Sequence, residues 1–162
     1  KMFVMQSKIK PRKSEEISEK RLVFSGHESF QCRNLWLKKG YDFIKNGNSF
    51  NDEDAVVKLG VGKNMVSSIR HWMKSFNIVD SNDRLTSFAD LILDDEGFDP
   101  YLEDDATLWL LHYQLVKNNY ASVYSIVFNE LRREKLEFNK THLVTYLKKK
   151  AEKQKSHSLV LK

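Results

Sequence analysis

The chain has 162 residues, 41% of them hydrophobic and 12% aromatic, which is enough apolar material for a packed core and excludes a disordered chain. Its single cysteine, Cys32, excludes an internal disulfide and a cysteine-cluster zinc site. No apolar run approaches the roughly 20 residues of a membrane helix, and the stretch among Lys1, Lys8 and Lys10 is too short for a signal peptide. The expectation is a cytoplasmic protein of one domain with a helical extension, not bound to a membrane.

The net charge of +5 is unevenly spread. Lys1–Phe50 carries +6, Asn51–Ser75 carries +1, Phe76–Leu110 carries −9 and Leu111–Lys162 carries +7. Basic flanks suit a polyanionic partner, because neutralising phosphates releases counterions. Solvated lysines on helix surfaces would account for the same charge.

In chain order, Lys1–Arg21 reads as an arm rich in Lys, Ser and Glu, and Arg21–Arg33 as a short apolar run ending in a glycine turn. Asn34–Asn46 has a moderate helical period in Leu35, Leu37, Phe43 and Ile44, closed by Gly47 and Asn48. Asp52–Leu59 predicts a short helix capped by Asn51 or Asp52. Asn64–Phe76 predicts a longer one with Asn64 as its cap. Ser81-Asn82-Asp83 between Ile78-Val79 and Arg84-Leu85-Thr86 predicts a very short hairpin. Phe88–Leu93 then starts a helix. An acidic loop follows at Asp94–Asp105, then helices at about Asp105–Lys117, Ala121–Leu131 and Lys140–Gln154.

The strongest pattern lies at Asn51–Phe76, where Gly60 suits the sharp bend of a helix-turn-helix. Val66, Ile69, Met73 and Phe76 recur at helical spacing as one buried stripe. Lys63, Asn64, Ser67, Ser68, His71 and Lys74, with Arg70 to one side, are the small polar and basic groups that a major groove accepts. Arg84 sits where a wing would lie. These eight residues are the candidate DNA contacts. The fold class expected is mainly α, a winged helix-turn-helix-like domain with a C-terminal helical extension. The divisions are an arm and turn at 1–33, the winged unit at 34–93, and an acidic loop with helices at 94–162.

Other patterns are weaker. Gly60-Val-Gly-Lys-Asn64 lacks the first Gly and the Ser or Thr of a phosphate-binding loop, and a helix precedes it. The carboxylates of Asp94–Asp105 fit no calcium loop and suit helix capping; a magnesium site is the other reading. Ser25, His27, Glu28 and Arg33 form either an acid–base or phosphate-handling cluster or a structural turn. Trp36, Trp72 and Trp109 are expected as core anchors, and His112 and His142 as partly buried. Lys148, Lys149, Lys150, Lys153 and Lys155 make a basic C-terminal stretch, either a solvated helix end or a stripe for a DNA backbone.

Several segments also resemble a known family: Phe24-Ser-Gly-His-Glu-Ser-Phe30, Trp36-Leu-Lys-Lys-Gly40, Phe50–Met65, Asp99–Glu103 and Thr107–His112. It is an uncharacterised domain family associated with bacterial DNA phosphorothioation and phage-defence clusters, and it includes SspB-like DNA-nicking components. The resemblance implies a DNA-modification accessory role, with DNA and other defence-system proteins as partners. It also implies a nicking step in which magnesium would serve, and a chain corresponding to the N-terminal portion of longer members. No cofactor is expected otherwise. It supplies no catalytic residues to carry over. A winged helix docking protein partners through Trp36, Tyr113 or Tyr124, without touching DNA, is the alternative.

Overall fold

A computed structural model of the chain describes residues 22–33 and 35–160, with side chains as far as Gln154. The expected arm at 1–21, Asn34 and the Lys155 side chain lie outside the described residues.

Helix α1 (Trp36–Lys45) follows Leu35, whose left-handed backbone (φ 62) marks the start two residues later than the pattern predicts. It buries Trp36, Leu37, Tyr41 and Phe43. Helix α2 (Ala55–Leu59) is shorter than predicted, because residues 51–54 form turns. The Asp52 carboxylate accepts the Ser49 N–H at 2.8 Å, so it is not the cap of α2. Gly60 ends α2 in the left-handed region (φ 60, ψ 36), and the Val61 N–H returns to the Val56 carbonyl at 3.2 Å. That bond and glycine's freedom at positive φ make the bend. Helix α3 (Lys63–Ser75) begins after an extended Gly62, so Asn64 lies inside its first turn and is not the cap.

The hairpin is reduced to one antiparallel bridge between Val79 and Leu85. Its turn is held by Asp80, whose carboxylate accepts the Asn82 and Arg84 N–H groups at 2.8 and 2.9 Å. Helix α4 (Ser87–Leu93) is capped by the Thr86 hydroxyl, which accepts the Ala89 N–H at 3.1 Å. Helix α5 (Asp105–Asn118) is capped by Asp104. Helix α6 (Ser122–Ile126) runs through a wide π turn at Val127–Leu131 into α7 (Arg132–Glu134), and α8 (Lys140–Val160) follows. The protein is mainly helical, as expected. No helix among the described residues is long and apolar enough to cross a membrane.

Helix α3 runs through the middle, packed by α1, α2 and α5. Its Ile69 and Met73 are wholly buried, and α1 crosses it so closely that a Cβ on Gly40 would lie 2.1 Å from the Met73 sulfur. One buried cluster extends from Trp36 to Ala121, so Leu111 and Leu115 share a core with α1 and α3. Trp36 and Trp72 are core anchors, but Trp109 is 72% exposed. Helix α5 is apolar on several faces and buries only Thr107, Leu111 and Leu115, which leaves the indole outside. His142 is exposed rather than partly buried, in the turn that starts α8, where its N–H donates to Asn139 Oδ1 at 3.0 Å.

The acidic block is largely engaged by α1. The buried Lys38 ammonium donates to Asp42, the Leu93 carbonyl and Asp95 at 2.9, 3.0 and 2.7 Å. The Tyr41 hydroxyl donates to Asp90 and Asp94 at 3.0 and 2.9 Å, and Lys45 pairs with Asp94. The Lys45 hydrogen bond is the main cause holding the Asp94 carboxyl down at about 2. Asp99 accepts the Glu103 and Asp104 N–H groups at 2.9 and 3.0 Å. Capping and ion pairing thus occupy Asp94, Asp95, Asp99 and Asp104.

Candidate nucleic-acid interface

A helix packed from three directions has little free surface, and α3 illustrates this. Val66, Ile69 and Met73 face the core as the stripe predicts, but Ser68, Trp72 and Ser75 are buried as well. Ser68 has no exposure; its hydroxyl and the Trp72 indole N–H both point to the Phe30 carbonyl, at 3.5 and 3.0 Å. His71 is 7% exposed. These two expected DNA contacts are corrected: neither side chain can meet a groove, because the chain from Phe24 to Phe30 covers that flank.

The remaining face consists of Lys63, Asn64 and Ser67, all exposed, then Arg70 and Lys74, both partly covered. Positions 63, 67, 70 and 74 are spaced to fall along one side of the helix. The hairpin closes over its C-terminal half. Arg70 Nε donates to Asp83 Oδ1 at 2.9 Å and Nη2 to Oδ2 at 2.5 Å, the fork geometry a guanidinium uses for carboxylate or phosphate. Arg70 Nη1 also reaches Asn51 Oδ1 at 3.2 Å. Lys74 Nζ lies 3.0 Å from Asp83 and 3.1 Å from the Ser81 carbonyl. Burial works against the Asp83 charge, yet the hydrogen bonds from Arg70 and Lys74 prevail and hold its carboxyl below the usual range. Arg84 is exposed beside it. The sequence pattern identifies the cations but presents Asp83 only as a turn former. Its position one residue before Arg84, opposite two cations on α3, becomes meaningful once the hairpin is folded back.

The second candidate cluster is not assembled. Ser25, Glu28 and Arg33 are exposed, and among the described residues no hydrogen bond or ion pair joins any two of Ser25, His27, Glu28 and Arg33. The Arg33 guanidinium lies 5.6 Å from the Trp36 ring centroid instead. Gly26 (φ 122), Glu28 (φ 46) and Ser29 (φ 64) make a tight turn that presses His27 against His71 and Trp72, with ring centroids 5.8 Å away in each case. Val23 and Ser122 tie this turn to α6 with bonds of 2.9 and 3.1 Å. The arrangement is that of a packed histidine pair, which sequence spacing could not reveal because its members are 44 positions apart.

Burial, and then the charge of His27, lowers the His71 pKa from 6.5 to about 4. The unfolded chain takes up a proton on this imidazole near 6.5 and the folded chain only near 4, so the unfolded state holds the extra proton throughout that window. Stability is therefore expected to be full above about 6.5 and to fall as pH drops toward 4. The loss is about 2 kcal/mol after discounting for solvent screening at the ring edge. Urea midpoints at pH 7 and 4.5 test this, and His71→Phe should flatten the difference. An unchanged slope in that variant would assign the pH dependence elsewhere.

The remaining sequence candidates are surface features. Among the C-terminal lysines, Lys150 pairs with Glu130, while Lys148, Lys149 and Lys153 are exposed. Of the aromatics proposed for docking, Trp36 is buried and Tyr124 half-buried, and only Tyr113 is exposed. The Cys32 thiol is pushed up to about 12 by burial, so it holds its proton and is no nucleophile at neutral pH.

These features define a mainly helical protein built on a glycine-bent helix pair, with a cationic edge on the second helix. Residues 24–162 match the family described as protein of unknown function (DUF4007), and the chain belongs to that family. It is similar to an SspB crystal structure, with 40% identity and a TM-score of 0.52, over 57% of this chain and 31% of that one. It is also similar to a magnesium ion-bound SspB crystal structure, with 39% identity and a TM-score of 0.52, over 57% and 30%. The chain therefore matches less than a third of the length of those SspB chains. No curated protein matches it.

Proposed function

We propose that this chain is a DNA-binding module of a bacterial DNA phosphorothioation and phage-defence system, and that it serves the nicking component of that system. The observation that carries this reading is the row Lys63, Ser67, Arg70 and Lys74 along one side of the helix that follows the Gly60 bend, Lys63 and Ser67 exposed, Arg70 and Lys74 partly covered and paired with Asp83. In this reading α2, α3 and the Val79–Leu85 hairpin act as a winged helix-turn-helix. Lys63, Arg70 and Lys74 hold phosphates, Asn64 and Ser67 reach base edges, and Arg84 on the wing meets the backbone. The similarity to SspB supports the biological setting, and the magnesium-bound SspB structure supports including that ion when nicking is tested.

Electrophoretic mobility on single- and double-stranded DNA over a salt series tests the binding. Duplex retardation should weaken steeply as salt rises; no retardation at low salt rejects the module. A supercoiled-plasmid assay with and without magnesium tests nicking. Because Ser25, His27, Glu28 and Arg33 do not converge, any nicking should survive His27→Ala with Glu28→Ala, and its loss with the fold intact would return chemistry to that turn.

A docking role has its own support in Trp109 (72% exposed) and Tyr113 (55%) on α5. Exposed aromatics four positions apart on a helix suit a protein contact. Co-purification of a partner that Trp109→Ala abolishes, without DNA retardation, would favour that reading.

A further inference from the structure

The geometry points to a nucleotide-binding cleft between α1 and α2, closed on one side by Tyr101. The cleft has a volume of about 580 Å³, within the usual range of small-molecule sites. Its floor is apolar, made by Phe43 and Leu59, both largely buried. Tyr101, 57% exposed, lines the cleft with its aromatic ring, and the Lys38 ammonium lies 6.0 Å from the ring centroid. Lys39 and Lys58 bring ammonium groups to the wall, and Asn46 brings an exposed side-chain amide.

The charges are not all spent within the fold. Lys39 Nζ donates to the Leu59 carbonyl at 3.0 Å, a neutral partner that leaves its charge uncompensated. Lys58 is paired with Asp54 at 3.0 Å, but both side chains are about half exposed, where such pairs are weak and readily exchanged. The lone carboxylate among the lining residues, Asp42, is already bonded to Lys38. An anion is therefore welcome at the Lys39 and Lys58 side. A flat ring is welcome against Tyr101, over an apolar floor. The exposed Asn46 amide adds a neutral hydrogen-bonding group to the same lining. A ligand carrying a phosphate at one end and a heteroaromatic ring at the other is a nucleotide.

None of the lining residues belongs to the cationic edge of α3 and the hairpin, nor to the glycine loop at Gly60–Asn64. The inference thus stands apart from the DNA-binding reading and survives its failure.

Calorimetric titration of the chain with AMP, ribose 5-phosphate and adenosine tests it. AMP should bind and each half-molecule should bind more weakly. Lys39→Glu and Tyr101→Ala should each weaken AMP by about tenfold, the scale of a single ion pair or a single stack, and Tyr101→Phe should restore it. These side chains lie at the surface, so unchanged melting temperatures will show that the variants are folded. Absence of AMP binding at millimolar concentration overturns the assignment. So does equal affinity for ribose 5-phosphate, or indifference to both substitutions. A short single-stranded oligonucleotide is then added to the AMP complex. Competition assigns the site to a nucleotide unit within a strand, and its absence assigns it to a free nucleotide.

Discussion

Converting Lys63, Arg70 and Lys74 together to alanine is expected to lower duplex affinity by on the order of 100-fold at low salt. It should also reduce the slope of log affinity against log salt by about 2.7, at roughly 0.9 for each phosphate no longer neutralised. Mobility shifts at several salt concentrations measure both quantities, and unchanged binding rejects this face of α3. The Asp83 carboxylate makes the opposite prediction possible. It already receives Arg70 at 2.9 and 2.5 Å and Lys74 at 3.0 Å, so a DNA phosphate must compete with it for both cations. Because the same hydrogen bonds keep Asp83 ionised at neutral pH, Asp83→Asn removes a full charge from the edge. Duplex affinity should then rise about tenfold and the salt slope steepen by about one. A loss of affinity in Asp83→Asn would instead mean that the ion pair holds the hairpin in its working position.

Gly26→Val is expected to be strongly disruptive, costing about 4 kcal/mol and lowering the melting temperature by about 10 °C. Two causes add. At φ 122 a β-branched residue is strained, and a Cβ there would lie 2.7 Å from His71 Nδ1 and 3.2 Å from Cε1. His71 cannot retreat easily, since the Trp72 and Tyr120 rings flank it with centroids 5.5 and 5.3 Å away. Gly47→Val separates the two causes. Gly47 also has a positive φ of 81, but a Cβ there would meet nothing within 4 Å, so only the strain of about 1–2 kcal/mol applies. Equal melting temperatures for the two variants would show that the turn does not press on His71.

The helix pair, its bend and the helical character of the chain were legible in order along the sequence. Gly60 between Val56 and Val61 and the stripe Val66, Ile69 and Met73 are local instructions held within a few residues, whereas the caps expected at Asn51 or Asp52 and at Asn64 fall instead at Asp54 and Gly62. Such signals depend on helical period and on glycine's freedom at positive φ, and neither requires the rest of the molecule. Periodicity also misplaced residues. It set Ser68 and His71 opposite the stripe and therefore outside, because a single apolar row implies a single buried side.

Tertiary structure decided which of these faces remained free. The turn at Phe24–Phe30, lying 38 and 42 positions before Ser68 and Trp72 in its Phe30 bonds, buries the second flank of α3. The hairpin brings Asp83 over Arg70 and Lys74, and α1 sends Lys38 and Lys45 into the acidic loop about 50 residues later. Burial and charge pairing are properties of what arrives from a distance, and a chain read in order carries no record of those arrivals. Sequence alone therefore determined a helical protein with a glycine-bent pair and an excess of cations. Only the fold decided that Lys63, Asn64 and Ser67 stand open, that Arg70 and Lys74 are already held, and that His71 is inside.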